Sequence, residues 1–135
     1  IVAEVIDDYR LLAKARRVTC RLDLAPTFTK ANYDMMHHVI SNLISNAVRY
    51  SEVGSVVKVT CRQHRLVVIN KCRPLTQAQL QRVFDPFYHT DRQVSSESDG
   101  SGVGLYIVKM LLEAKGLEYS FSPVKQGMAF TINFP

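Results

Sequence analysis

The ten residues SNLISNAVRY at 41–50 decide how the rest of the chain is read. They close a run, 31–50, whose apolar positions recur at helical spacing, so a long helix is expected there. Within it Asn42 and Asn46 lie four residues apart, and Arg49 follows three further on. Asparagine is a weak helix former, because its side chain competes for nearby backbone groups. Its repetition on one face, beside a cation, calls for a partner. At ~100° per residue, His38, Asn42, Asn46 and Arg49 fall within about an 80° arc. Met36, Val39, Ile40, Leu43, Ile44 and Ala47 fill the neighbouring sector, which suits a core. The stripe has a chemistry of its own. An amide oxygen is a hard ligand for Mg²⁺, an amide NH₂ donates to phosphate oxygens, and a guanidinium pairs with phosphate. A solvated helix face carrying incidental asparagines is the plainer reading of the same stripe.

Outward from this helix, elements of both kinds alternate irregularly. On the N-terminal side, VAEVIDDYRLLAKA (2–15) has helical apolar spacing, and VTCRLDL (18–24) alternates like a strand up to Pro26. On the C-terminal side, SVVKVTCR (55–62) and RLVVINK (65–71) read as an antiparallel pair turned at Gln63-His64. TQAQLQRVF (76–84) reads as a short helix with Thr76 as its N-cap. VGLYIVKMLLEAKG (103–116) is an amphipathic helix stopping at Gly116. LEYSFSP and GMAFTINFP close the chain as a strand pair. Helices and strands mix without a βαβ rhythm, so the fold class is α+β, a two-layer α/β sandwich.

Composition sets limits. The 135 residues fit one domain, and 47% hydrophobic against 21% charged residues suits an ordinary core. No apolar run approaches the ~20 residues of a membrane span. The chain starts at Ile1, which reads as a piece of something longer. Cys20, Cys61 and Cys72 have no metal-ligand spacing and read as reduced thiols of a cytosolic compartment. The net charge of +5 is scattered, without an aromatic-basic platform, so nucleic acid is not the expected partner.

Two further stretches carry chemistry. GSGVG (100–104) opens a helix, and glycines at a helix N-terminus let backbone N–H groups approach an anion. A flexible linker ending at a cap is the alternative. The Rossmann fingerprint is excluded because these glycines follow a long polar loop rather than a strand. A P-loop is excluded because no Gly-Lys-Ser/Thr is present. The polar stretch DPFYHTDRQVSSESDGSG (85–102) is longer than ordinary connections, and such loops are usually functional. At its root, Phe84, Phe87 and Tyr88 are candidates for a hinge or latch, with core packing the simpler role for Phe84.

The order of the three features is more specific than any one of them. DMMHHVISNLISNAVRYS, then FDPFY, then GSGVGLYIVK resembles the N, F and G2 boxes of the ATP-binding catalytic domain of bacterial sensor histidine kinases. These kinases sit within the ATPase superfamily of gyrase B, Hsp90 and MutL, and the likeness covers essentially the whole chain. It implies the Bergerat form of the sandwich, with helices on one face of a mixed sheet. It also implies ATP and Mg²⁺ held between the N-box helix and a lid over 85–102. By that resemblance Asn46 is the Mg²⁺ ligand and Asn42 contacts the phosphates or the metal's water. Arg49 reaches the phosphates, and Tyr50 stacks near the adenine. Gly100, Gly102, Val103, Gly104 and Leu105 bring lid backbone to the triphosphate.

One box departs from the pattern. The family's Asp-x-Gly-x-Gly after a buried strand is here NKCRPLT, with Asn70 at the Asp position and Cys72 and Pro74 at the glycines. In the family the Asp accepts from the adenine amino group. Asn70 keeps a neutral amide acceptor, and the side chains of 71–73 narrow the base pocket. None of the four histidines has a phosphoacceptor context. The expected unit is therefore a single catalytic domain, 1–135, severed from its sensor and its dimerisation and phosphoacceptor domain. The expected partners are that domain and, indirectly, a response regulator. The expected place is the cytoplasmic side of a membrane-bound sensor kinase, with no membrane insertion of this domain. The rival expectation is a degenerate domain acting as a regulatory interaction module. Direct ATP hydrolysis is disfavoured, since no Glu lies between Tyr33 and Tyr50 to activate water.

Overall fold

A computed structural model describes residues 1–25, 32–88 and 104–135. Its central helix, α3, runs Tyr33–Tyr50 and is set by its ends as much as by its stripe. Asn32 caps it by accepting from the Met35 N–H at 3.0 Å. At the far end the Ser51 hydroxyl donates back to the Ala47 carbonyl. All six expected core residues are buried, and Val48 joins them.

Five strands form one mixed sheet: β1 (Thr19–Leu24), β2 (Val56–Arg62), β3 (Arg65–Lys71), β4 (Glu118–Val124) and β5 (Gly127–Asn133). Their spatial order is β1-β2-β3-β5-β4. β1 and β2 are parallel, joined across α3, and every other pair is antiparallel. Successive side chains alternate between faces. The inner face carries Val57 and Val59, then Leu66, Val68 and Asn70, then Met128, Phe130 and Ile132. All of these are buried. The helices lie on this face, and their apolar residues share one core with it. The outer face carries Lys58, Arg62, Arg65 and Lys71, all exposed. The expected two-layer sandwich with helices on one face is the observed architecture.

Two tight turns fix the antiparallel register. Gln63 and His64 both have positive φ, 51° and 62°, the conformation of a two-residue hairpin turn whose twist matches its strands. At the other hairpin, Gly127 pairs with Lys71. A Cβ there would lie 2.0 Å from the Asn70 carbonyl oxygen, so the β3–β5 approach admits only glycine.

Three boundaries differ from the periodicity. The helix expected over 2–15 is two, α1 (Val2–Asp8) and α2 (Arg10–Ala15). It breaks at Tyr9, whose hydroxyl is bonded to the Ser41 hydroxyl of α3 at 2.9 Å. The break turns both Val5 and Ala13 to the core. The helix expected over 76–84 is only α4, Gln77–Leu80, closed by a reciprocal Thr76–Gln79 capping box. Turns follow it, and they deliver Val83 and Phe84 inward. Phe84 meets Tyr119, Phe121 and Phe130 edge-on, so its role is core packing. The last helix, α5, runs Gly104–Ala114 and ends two residues before Gly116. All three cysteines are free thiols, and burial raises the Cys20 pKa.

Candidate functional site

The N-terminus of α5 lies on the amide stripe of α3. Asn42 donates from Nδ2 to the His38 carbonyl at 3.0 Å, one turn back along the helix. That bond fixes the amide plane and leaves Oδ1 facing Gly104. A Cβ on Gly104 would stand 3.2 Å from this oxygen, tighter than ordinary contact. A helix N-terminus carries unsatisfied N–H groups and the positive end of the helix dipole. Its first residue sits against the Asn42 amide. Leu105, next along, is buried and holds α5 down on the core.

Asn46, Arg49 and Tyr50 continue the stripe toward the C-terminal end of α3, each half-buried. That end is tied to the end of β3. The Glu52 N–H donates to the Lys71 carbonyl at 2.9 Å, and Lys71 Nζ lies 3.7 Å from Glu52 Oε2. Asn70 is the last inner-face residue of β3 and is only 5% exposed. Its Nδ2 is buried and has no hydrogen-bond partner among the described residues. A buried donor left unmade is costly, and most such groups in folded chains are paired.

The stripe also extends the other way. His38 and Asn42 line an open polar cleft of about 320 Å³ with Tyr9, Asp34, His37 and Ser41. His37 belongs to this lining, and its Nε2 lies 3.9 Å from Asp8 Oδ2. Tyr9 reaches the cleft from the break between α1 and α2, 32 residues before its partner Ser41, and no local pattern announces that approach. At the root of the long polar stretch, Phe87 is 73% exposed with a φ of 66°. The Arg82 guanidinium stands 4.8 Å from the Tyr88 ring centroid. Gly100, Gly102, Val103 and most of the expected lid lie outside the described residues.

The two regions suit the two ends of a nucleotide. The Asn42 amide meets the N-terminus of α5, and Asn46 and Arg49 lie further along the same stripe of α3; amide oxygens suit a hard cation, and a guanidinium and a helix N-terminus suit an anion. The Asn70 amide is a buried polar group that could meet the edge of a base. By charge and donor set the residues fit ATP with Mg²⁺.

The family model for histidine kinase-, DNA gyrase B-, and HSP90-like ATPases matches residues 31–135. Sensor histidine protein kinase HK06 of Streptococcus pneumoniae is 34% identical over 134 residues, 98% of this chain and 30% of that protein. Sensor histidine kinase CusS of Escherichia coli is 32% identical over 138 residues, 99% of this chain and 29% of that protein. The chain thus spans under a third of the length of the curated relatives it matches. The solved catalytic domain of histidine kinase ThkA, in a nucleotide-free form, superposes with a TM-score of 0.83 at 20% identity. That superposition covers 99% of this chain and 89% of ThkA's, and it shows a shared fold.

Proposed function

The chain belongs to the histidine kinase-, DNA gyrase B-, and HSP90-like ATPase family, and from that premise we propose that it binds Mg-ATP and presents the γ-phosphate to a histidine on a separate domain. The acceptor is the dimerisation and phosphoacceptor domain of the same sensor kinase, with a response regulator downstream. The domain works on the cytoplasmic side of a membrane-bound kinase. The observation that carries this reading is the seating of Gly104, first residue of α5, on the Asn42 amide oxygen.

Roles follow from donor chemistry. Asn46 Oδ1 holds Mg²⁺, with Asn42 the second candidate at the metal or its water. The metal neutralises phosphate charge, which is most of what phosphoryl transfer requires of a protein. Arg49 adds a second positive group, and the backbone N–H groups of Gly100, Gly102, Val103, Gly104 and Leu105 close on the phosphates. Tyr50 covers the base, and Asn70 contacts its edge. Transfer is favoured over hydrolysis because α3 contains no glutamate to activate water. The base that receives the acceptor's proton belongs to the acceptor domain.

Titration calorimetry with Mg-ATP tests the reading. We expect saturable binding that weakens when Mg²⁺ is removed, and Asn46→Ala should abolish that Mg²⁺ dependence while leaving the melting curve unchanged. In a full-length kinase the same variant should lose autophosphorylation. An absence of binding at millimolar nucleotide would instead favour a regulatory module, the outcome that side chains at Lys71, Cys72 and Arg73 would produce by blocking the base.

A further inference from the structure

The Asn70 amide is more than a substitute acceptor. Its carbonyl end can do what a carboxylate does at this position, but its Nδ2 hydrogens have no counterpart in a carboxylate. That nitrogen is fully enclosed and has no partner among the described residues. The backbone beside it is already committed. Asn70 pairs with Met128 in the β3–β5 ladder, and the Lys71 carbonyl takes the Glu52 N–H. The flanking inner-face side chains on β2 and β5, Val57 and Met128, are apolar and wholly buried. Nothing among the described residues uses the donor, and a bound polar group is one candidate to use it.

Purines differ at the edge such an amide would meet. A 6-aminopurine shows a donor at the 6-amino group and an acceptor at N1. A 6-oxopurine shows the reverse, an acceptor at O6 and a donor at N1. An amide carries one acceptor and one donor end, and a half-turn about its Cβ–Cγ bond exchanges them. It can match either edge with two bonds, the same donor-and-acceptor logic by which asparagine grips the N6/N7 edge of adenine in nucleic acids. A carboxylate has acceptors only and matches neither edge in full. We propose that Asn70 reads the purine 1,6 edge with both ends of its amide, so that this site takes 6-oxopurine as well as 6-aminopurine triphosphates. The inference rests on the reading of the site as a nucleotide site.

The test is calorimetry with Mg²⁺ complexes of ATP, 1-deaza-ATP and ITP, on the wild-type chain and on Asn70→Asp. 1-Deaza-ATP keeps the 6-amino group and lacks the N1 acceptor. Wild type should bind it about tenfold more weakly than ATP, the scale of one lost buried hydrogen bond, and should bind ITP within about tenfold of ATP. Asn70→Asp should bind ATP and 1-deaza-ATP alike and reject ITP by a further factor of about ten. The wild-type arms need no variant, and a melting curve checks the fold of Asn70→Asp. If wild type binds ATP and 1-deaza-ATP equally and discriminates against ITP as strongly as Asn70→Asp does, the proposal is overturned while the nucleotide site stands. If no nucleotide binds wild type, both fall together.

Discussion

Asn42 shows how one side chain can be aimed by its own helix. The bond from Nδ2 to the His38 carbonyl uses a group that helix formation leaves partly available, and it turns Oδ1 toward α5. The glycine at 104 then has a packing reason, since any side chain would press on that oxygen at 3.2 Å. Gly104→Ala separates packing from binding. The clash is with the end of a side chain, which can rotate aside, and alanine is favoured over glycine in a helix by up to about 1 kcal/mol. The melting temperature should therefore stay level or rise slightly. Mg-ATP affinity should nonetheless fall severalfold, because the displaced Asn42 amide no longer meets the helix N-terminus. A variant that melted earlier and bound normally would mean that Gly104 serves the fold alone.

At the level of elements, periodicity carried most of the information. The apolar stripe of α3 and the alternation in β2 and β3 are local patterns, and the structure buries the residues they mark. Boundaries set by distant partners were not legible. Tyr9 breaks its helix because Ser41 binds it from 32 residues away, and the turns after α4 exist to seat Phe84 among the aromatics of β4 and β5. The hairpin between β2 and β3 was legible by position but not by composition. Gln63 and His64 both adopt positive φ, which such turns normally assign to Asn and Gly. A non-glycine residue held there costs on the order of 1 kcal/mol. Replacing the pair, Gln63→Asn with His64→Gly, should raise stability by about 1–2 kcal/mol in chemical denaturation. Nucleotide affinity should not move, since the turn joins the β2 and β3 ends opposite Asn70. An unchanged denaturation midpoint would show that the native turn carries no strain.

Across the whole molecule, the site depends on two layers holding their spacing. The sheet presents Asn70 from one layer, and α3 and α5 present the amide stripe and the glycine from the other. The stripe of α3 was legible as a pattern of residue types, while the roles assigned to its amides and cation came from the resemblance to a family. Asn70 too was singled out in the sequence, but its burial and its unpaired Nδ2 were not legible there, because they are properties of packing. One bond that ties the layers can be titrated. The Tyr119 hydroxyl on β4 donates to Glu113 Oε2 on α5 at 2.7 Å. Burial, first, and that bond push the Tyr119 pKa up to about 12 from the ordinary tyrosine range. The sign follows from proton uptake: above pH 10 the unfolded chain loses this proton while the folded chain keeps it. The contribution is complete below pH 10 and is lost as the pH rises to 12. Tyr119→Phe should be less stable than wild type by about 1 kcal/mol at neutral pH. That gap should close between pH 10 and 12, since lysine titration weakens both proteins alike. Urea denaturation of the two proteins across this range measures the gap directly. A gap that stays constant to pH 12 would mean that the ring of Tyr119, stacked on Phe130, holds the layers without help from its hydroxyl.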